Sequence, residues 1–309
     1  MENIHELTRR KFLAASGVLA GAAPWGRGFQ QENKNNSQGG QEIPLRIGHR
    51  AANMNMVGNL EVFKVAKQIP GLMGVELQVT AGKPSLLDLD AVRQYKREAN
   101  RWGMIIPSLA GVWSKGSSIR SPLAGIDLMQ SIRASELLGA SLILIAFFHL
   151  NVPDMKEEAS YGPVVELLHR VAPFGADAGV TLGLENSLNP AENLKFVDLI
   201  DRPNVKVYYD LYNMAFYGYP ADAIPGIALL GKQRICQVHV KNGPNLIAEP
   251  GPIDWPAAFE AFNDIAYEGW YIFEEEPAQF TDHRSQLQMM EAAKKNIEFV
   301  KQHCRMPLG

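Results

Sequence analysis

From about residue 45 onward the chain alternates short apolar runs with longer stretches in which apolar residues recur every three or four positions. The first kind reads as β-strand and the second as amphipathic α-helix. Strands are expected at 45–49, 74–79, 104–109, 142–148, 180–185, 205–210, 235–242 and 270–274. Helices are expected near 60–68, 89–101, 123–138, 162–178, 191–200, 221–230, 254–266 and 285–302. Asp88 is expected to cap the second helix, and Asp254, with Pro256 in the first turn, opens the seventh. The run 142–148 is apolar throughout, as a parallel strand covered on both faces requires. Eight strands, each followed by a helix, predict an α/β fold of the (β/α)8 TIM barrel kind. A doubly wound sheet would need a glycine-rich phosphate turn after its first strand, where this chain has His49, Arg50, Ala51 and Ala52.

The polar residues that interrupt the strands carry the chemistry. In the seventh strand, period-2 geometry puts Gln237, His239 and Lys241 on one face and Cys236, Val238 and Val240 on the other. Three polar side chains on one face suit a strand that looks into a site. Glu185, Asp210 and Glu274 close three similar runs, and the four positions are spaced by 25, 29 and 35 residues, near the roughly 30 residues of one βαβ repeat. In a barrel each then falls at a strand's C-terminal end, the face where sites are assembled from several strands. Three clustered carboxylates repel one another unless a cation neutralises them. Oxygen-rich donors with one nitrogen suit a hard or borderline divalent ion, Mn²⁺ or Mg²⁺ first, with Co²⁺ or Zn²⁺ also accommodated.

Composition narrows the picture further. A chain of 309 residues, 46% hydrophobic, can bury one barrel of about 250 residues once a leader is set aside. A net charge of −3 gives no electrostatic footprint for nucleic acid. The two cysteines lack metal-ligand spacing, and Cys236 reads as a small strand hydrophobe. Arg9 and Arg10, followed by the small apolar residues 14–23, are expected to form a twin-arginine export signal over residues 1–25. A flexible linker at 26–43, rich in Asn, Gln, Gly and Ser, would lead to a barrel domain at 44–309. The apolar run is too short to stay in a bilayer, so the expectation is a periplasmic protein with no stable membrane insertion after signal removal.

Several local motifs resemble the sugar phosphate isomerase/epimerase family, the xylose isomerase-like TIM barrels. They are Leu184, Glu185, Asn186 and Ser187; Tyr208 to Asn213; Val238, His239, Val240 and Lys241; Gly251 to Asp254; and Tyr267 to Trp270, running on to Glu274. The resemblance implies one divalent metal held by Glu185, Asp210, His239 and Glu274. It favours Glu274 over Glu275 and Glu276, because the family ligand stands four residues after the Trp of the Gly-Trp pair. It also implies a metal-dependent isomerase or epimerase that handles a carbohydrate or keto-sugar through an enediolate, with Glu185 and Glu274 as acid and base. Ketose 3-epimerases of this superfamily carry a His three residues after the Asp and an Arg six after the His; here those positions are Asn213 and Asn245.

Around that set, His149 after the fourth strand and His49 ending the first are candidates for the substrate wall, as is Glu76 on the second; each has a structural alternative. Trp113 is expected to stack on a sugar face or to cover the barrel mouth. Lys241 would bind a substrate oxyanion or pair with a ligand carboxylate. Asn213 joins the substrate-binding candidates, and the tyrosines and Phe216 between 208 and 219 read as packing and lid. The partner is a small carbohydrate, and a homo-oligomer is compatible with the chain. Two other outcomes stay open: a lyase or dehydratase of the inosose dehydratase kind, and a non-catalytic carbohydrate-binding protein. An endonuclease of the same superfamily would need a His-rich multi-metal site and a basic face.

Overall fold

The computed structural model describes residues 45–274 and 286–305. The leader and linker expectations, and the positions of Glu275 and Glu276, lie outside the described residues. Eight parallel strands follow one another around a closed barrel. They are β1 (Arg46–Arg50), β2 (Gly74–Gln78), β3 (Leu109–Ala110), β4 (Leu142–Phe147), β5 (Thr181–Asn186), β6 (Val205–Asp210), β7 (Ile235–Val240) and β8 (Trp270–Phe273). Outside them run α1 (Val62–Lys67), α2 (Leu89–Trp102), α3 (Ala124–Leu138), α4 (Glu158–Asp177) and α5 (Pro190–Ile200). The remaining described helices are α6 (Leu211–Phe216), α7 (Pro225–Arg234), α8 (Trp255–Asp264) and α9 (Gln286–His303). The expected (β/α)8 barrel is the fold, and Asp88 and Asp254 cap α2 and α8 as anticipated, each accepting from a backbone N–H.

Two elements differ from expectation for local reasons. The third strand was expected over 104–109, but its ladder is reduced to Leu109–Ala110 and an isolated bridge between Gly74 and Ile105. Pro107 stands between them and has no N–H to give the ladder. The short helix α6 is additional. It begins directly at the end of β6 because Asp210 Oδ1 accepts from Asn213 N at 2.8 Å, capping the turn.

Strand alternation divides the core into two layers. Ile143, Ile145 and Phe147 of β4, like Val205, Val207 and Tyr209 of β6, pack outward in the large core shared with the helices. Leu142 and Leu144, with Ala110 and Tyr208, form a small cluster inside the barrel. In β7 the alternation carries one irregularity. Val207 pairs with Ile235 but Tyr208 pairs with Gln237, so Cys236 is an extra residue on that strand. Cys236 therefore leaves the face of Val238 and Val240, where simple alternation put it, and packs against the inner cluster. From Gln237 onward the expected phase holds. Burial pushes the Cys236 thiol up to about 12, so it is an unreactive hydrophobe as anticipated.

Space inside the barrel is tight on β5. A Cβ built on Gly183 would stand 3.1 Å from Cys236 Sγ and 3.3 Å from atoms of both Leu142 and Tyr208. The missing side chain is what admits the Tyr208 ring. Gly183→Val should therefore cost about 1–3 kcal/mol by overpacking. The urea midpoint would fall with the slope unchanged; an unaltered midpoint would contradict this account of the interior.

Candidate metal centre

At the C-terminal end of the barrel, Glu185 stands near the end of β5, Asp210 ends β6, His239 lies near the end of β7 and Glu274 directly follows β8. The ladders hold them level: Asp210 is paired with His239, and Glu274 N donates to Val240 O at 3.1 Å. One ligand atom from each of the four lies within 4.8 Å of all the others. Opposite donors around a shared ion at 2.1 Å would be about 4.2 Å apart, so the set needs only a small contraction. His239 Nδ1 faces Glu274 Oε2 at 3.0 Å, Glu185 Oε1 at 3.1 Å and Asp210 Oδ2 at 3.8 Å. Glu185, Asp210 and His239 are buried, and Glu274 is nearly so.

Cations and amides of the protein fill in around them. Lys241 Nζ reaches Asp210 Oδ2 at 2.8 Å, Glu274 Oε2 at 3.1 Å and Asn213 Oδ1 at 3.0 Å. Asn213 Nδ2 in turn donates to Glu185 Oε1 at 2.9 Å. Arg50 pairs with Glu274 and, through Nε at 2.9 Å, with Glu76 Oε1. Among the described residues, four carboxylates thus face one ammonium and one guanidinium. With His239 neutral this leaves two negative charges, the complement of a single divalent cation.

Titration directions follow from that balance. Burial would raise Glu185, but the His239 imidazole, with Lys241 and Arg50, holds its carboxyl down at about 2. Asp210 moves the other way, raised by burial and by Glu185 against the pull of Lys241 and His239. Burial would lower His239, yet Glu185 and Glu76 raise it. These are the shifts of a buried cluster rich in negative charge.

The remaining candidates separate. Asn213 and Lys241 join the centre, Lys241 through the carboxylate pairing that was its alternative reading. Glu76 sits inside the barrel beneath His239, wholly buried. Trp113 is pinned at the mouth, its Nε1 donating to Ala146 O at 2.7 Å and its carbonyl accepting from Thr80 Oγ1 at 2.8 Å. His149 lies farther out on the rim, exposed, its ring edge-on to Tyr217 at 5.5 Å.

His49 is corrected. It shares the outward face of Ile47, its ring edge-on to Phe273 of the outer core. The inward position is Arg50, two residues beyond Gly48, whose built Cβ would meet Ile272 Cδ1. Alternation from Gly48 was the signal that identifies Arg50, and the reading of strand ends alone missed it. Ser108, which donates to Glu76 Oε2 at 2.7 Å, was hidden by the broken third strand.

A parallel eight-stranded barrel with a buried carboxylate and histidine centre at its C-terminal mouth defines the class of the protein. The profile of the xylose isomerase-like TIM barrel family matches residues 63–303, and the chain belongs to that family. It is 25% identical over 194 residues to an L-ribulose 3-epimerase from Methylomonas sp. (strain DH-1), an alignment covering 57% of this chain and 65% of that one. A D-psicose 3-epimerase from Clostridium cellulolyticum H10, solved with D-tagatose, superposes with a TM-score of 0.70 at 18% identity, over 84% of this chain and 99% of that one. A 3-keto-D-glucoside 4-epimerase from E. coli gives 0.64 at 14% identity, over 84% and 99%. These two solved structures share the fold. No helix among the described residues is long and apolar enough to cross a membrane.

His49 yields a prediction independent of the centre. Burial pulls its pKa from 6.5 to about 4, against a hydrogen bond of Nδ1 with Arg50 O. Below pH 6.5 the unfolded chain takes up a proton that the folded chain refuses until about pH 4, so stability falls as pH drops through that window. The loss amounts to about 3 kcal/mol at pH 4. Denaturant unfolding of His49→Gln between pH 7 and pH 4 should show a shallower decline by about that amount; parallel curves would refute it.

Proposed function

We propose that the protein is a divalent-metal-dependent enzyme that epimerises or isomerises a carbohydrate at the carbon beside a carbonyl group. The observation that carries this reading is the convergence of Glu185, Asp210, His239 and Glu274, which bring one ligand atom each to within 4.8 Å of all the others. Glu185, Asp210, His239 and Glu274 would hold the ion, Mn²⁺ or Mg²⁺ being the best match to three oxygens and one nitrogen. A cation held there supplies the positive charge that favours negative charge growing on the sugar's oxygens as the neighbouring proton departs.

Glu185 and Glu274 flank the centre from either side, with β6 and β7 between them. Glu185 is ionised at neutral pH and would be the group that accepts the carbon-bound proton, its place beside the ion rather than its basicity fitting it for that role. Glu274, paired with Arg50 and Lys241, would take up a proton from solvent and give it to the other face while Glu185 releases the one it took to solvent, the two exchanging roles according to the substrate's hand. Lys241, engaged by Asp210, Glu274 and Asn213, would hold two of the donors in place, and Trp113 covers one side of the mouth. Asn213 is tied to Glu185 and Lys241, and Asn245 is exposed, its amide 3.4 Å from Pro250 O. Neither offers the charge that a His and an Arg would bring there, which favours a substrate other than a free ketose held by that pair. Taken with the twin-arginine signal expected from the sequence, this favours an unphosphorylated sugar, keto-sugar or glycoside derivative met in the periplasm.

Replacing Glu185 or Glu274 by Gln keeps an oxygen donor and nearly the same shape while removing the base. Each variant should keep much of its metal and lose roughly 10² to 10⁴ in turnover. His239→Ala should lose metal and activity together. With a keto-sugar substrate, solvent deuterium should enter the product in wild type and stop entering in at least one Gln variant, with product mass otherwise conserved. Exchange and turnover that survive in both Gln variants would remove the two-glutamate mechanism, and loss of water from the product would assign a lyase.

A further inference from the structure

Glu76 is as buried as His239 but stands outside the four convergent donors. Its Oε2 accepts from Ser108 Oγ at 2.7 Å and from Tyr208 OH at 2.9 Å, the latter reaching across the barrel from β6. Gln237 Nε2 fixes both hydroxyls in that sense, donating to Ser108 Oγ at 2.7 Å and to Tyr208 OH at 2.8 Å. The other oxygen, Oε1, faces Arg50 Nε at 2.9 Å and His239 Nε2 at 3.6 Å. Apart from His239, its neighbours Ser108, Tyr208 and Arg50 are all donors, the surroundings of an ionised carboxylate.

His239 has its two ring nitrogens in different company. Nδ1 looks toward Glu185, Asp210 and Glu274, whereas Nε2 is buried, makes no formed hydrogen bond and has Glu76 Oε1 before it. The tilted Tyr208 ring, 4.3 Å away between centroids, restricts the imidazole from the side. A neutral imidazole carries one hydrogen and one lone pair. Opposite an acceptor-only carboxylate, the hydrogen belongs on Nε2, and the lone pair is then left on Nδ1.

We propose that Glu76, held by Ser108, Tyr208 and Arg50, is a positioning residue that fixes His239 as the Nε2–H tautomer and so makes Nδ1 its metal-ligating atom. The inference rests on the divalent-cation reading above. Arg50 extends the same support to a second ligand, since it touches both Glu76 and Glu274. One buried carboxylate and its counter-ion thereby set the orientation of groups on β7 and after β8.

The test uses the full chain, with Mn²⁺ affinity from equilibrium dialysis and the His239 ring nitrogens from ¹⁵N-resolved NMR of the Zn²⁺-loaded protein. In wild type, Nε2 should carry an exchange-protected, strongly deshielded proton, and Nδ1 should be the metal-bound nitrogen. In Glu76→Gln the proton should move upfield and Mn²⁺ affinity should fall roughly 10- to 100-fold, with thermal unfolding still cooperative. Tyr208→Phe, which leaves the Glu76 charge in place, should lose less affinity than Glu76→Gln. If Glu76→Gln does not fold, the wild-type spectrum still decides: a proton on Nδ1 or metal on Nε2 overturns the proposal. Unchanged affinity and proton shift in Glu76→Gln overturn it while leaving the metal centre standing. A wild-type chain that binds neither ion removes the cation reading and this inference together.

Discussion

Charge compensation at the barrel mouth is the constraint on which the rest of the structure depends. Glu76, Glu185 and Asp210 are almost wholly withdrawn from water, and Glu274 retains little contact with it. Burying carboxylates this close together is unfavourable without counter-charge and donors. Arg50 and Lys241 provide the first part of that charge, and Asn213, Ser108, Tyr208 and the capped turn of α6 provide donors. Among the described residues, and with His239 neutral, the balance they leave is the one that a divalent ion would complete. The same groups that make the cluster tolerable also orient it, so the electrostatics and the geometry of the centre have a common origin.

The barrel makes room for this arrangement by omission. Gly48, Gly74 and Gly183 occupy inward positions where a Cβ would collide with Ile272, Trp270 or the group of Cys236, Leu142 and Tyr208. Large side chains from nearby strands take that space, and Tyr208 spans the interior to reach Glu76. A barrel lined evenly with medium-sized aliphatic residues would pack as densely but could not pass a hydrogen bond from β6 to β2. Above the small apolar cluster, Glu76 Oε2, Ser108 Oγ, Tyr208 OH and Gln237 Nε2 are joined by hydrogen bonds, Tyr208 belonging to both groups.

The sequence showed the scaffold and the converging donors because both depend on periodicity and spacing. Glu185, Asp210, His239 and Glu274 could be picked out as strand-end residues one βαβ repeat apart, and Gln237, His239 and Lys241 as one polar face. Features that break periodicity were not legible. The extra residue at Cys236 shifts the phase of β7 only where the neighbouring strand is known. Pro107 interrupts the third strand and so concealed Ser108. His49 was a candidate only as the residue ending the first strand, with a structural role left open, and Arg50 was not considered, although Gly48 marked the inward phase. The roles of Glu76 and Tyr208 could not be read at all, since their partners lie 32 and 132 residues apart in the chain.

The centre and the rim are built differently, and the difference bears on how such a barrel acquires a substrate. The donors sit on or immediately beside strands, where ladder bonds hold them. The rim beside Glu185 is made of loops: Phe148 lies flat on Tyr217 at 5.6 Å, and His149 is held at a φ of 53°, a left-handed conformation uncommon outside glycine. Arg120 secures that turn from a separate loop, donating to the carbonyls of Asn151, Val152 and Ser160 and to Ser160 Oγ. Changing these loops would alter what stands over the mouth without disturbing the charge balance beneath it. The proposed proton transfer would then belong to the strand ends, whereas the choice of sugar would fall to side chains such as Trp113, His149 and Tyr217, which the ladders do not constrain.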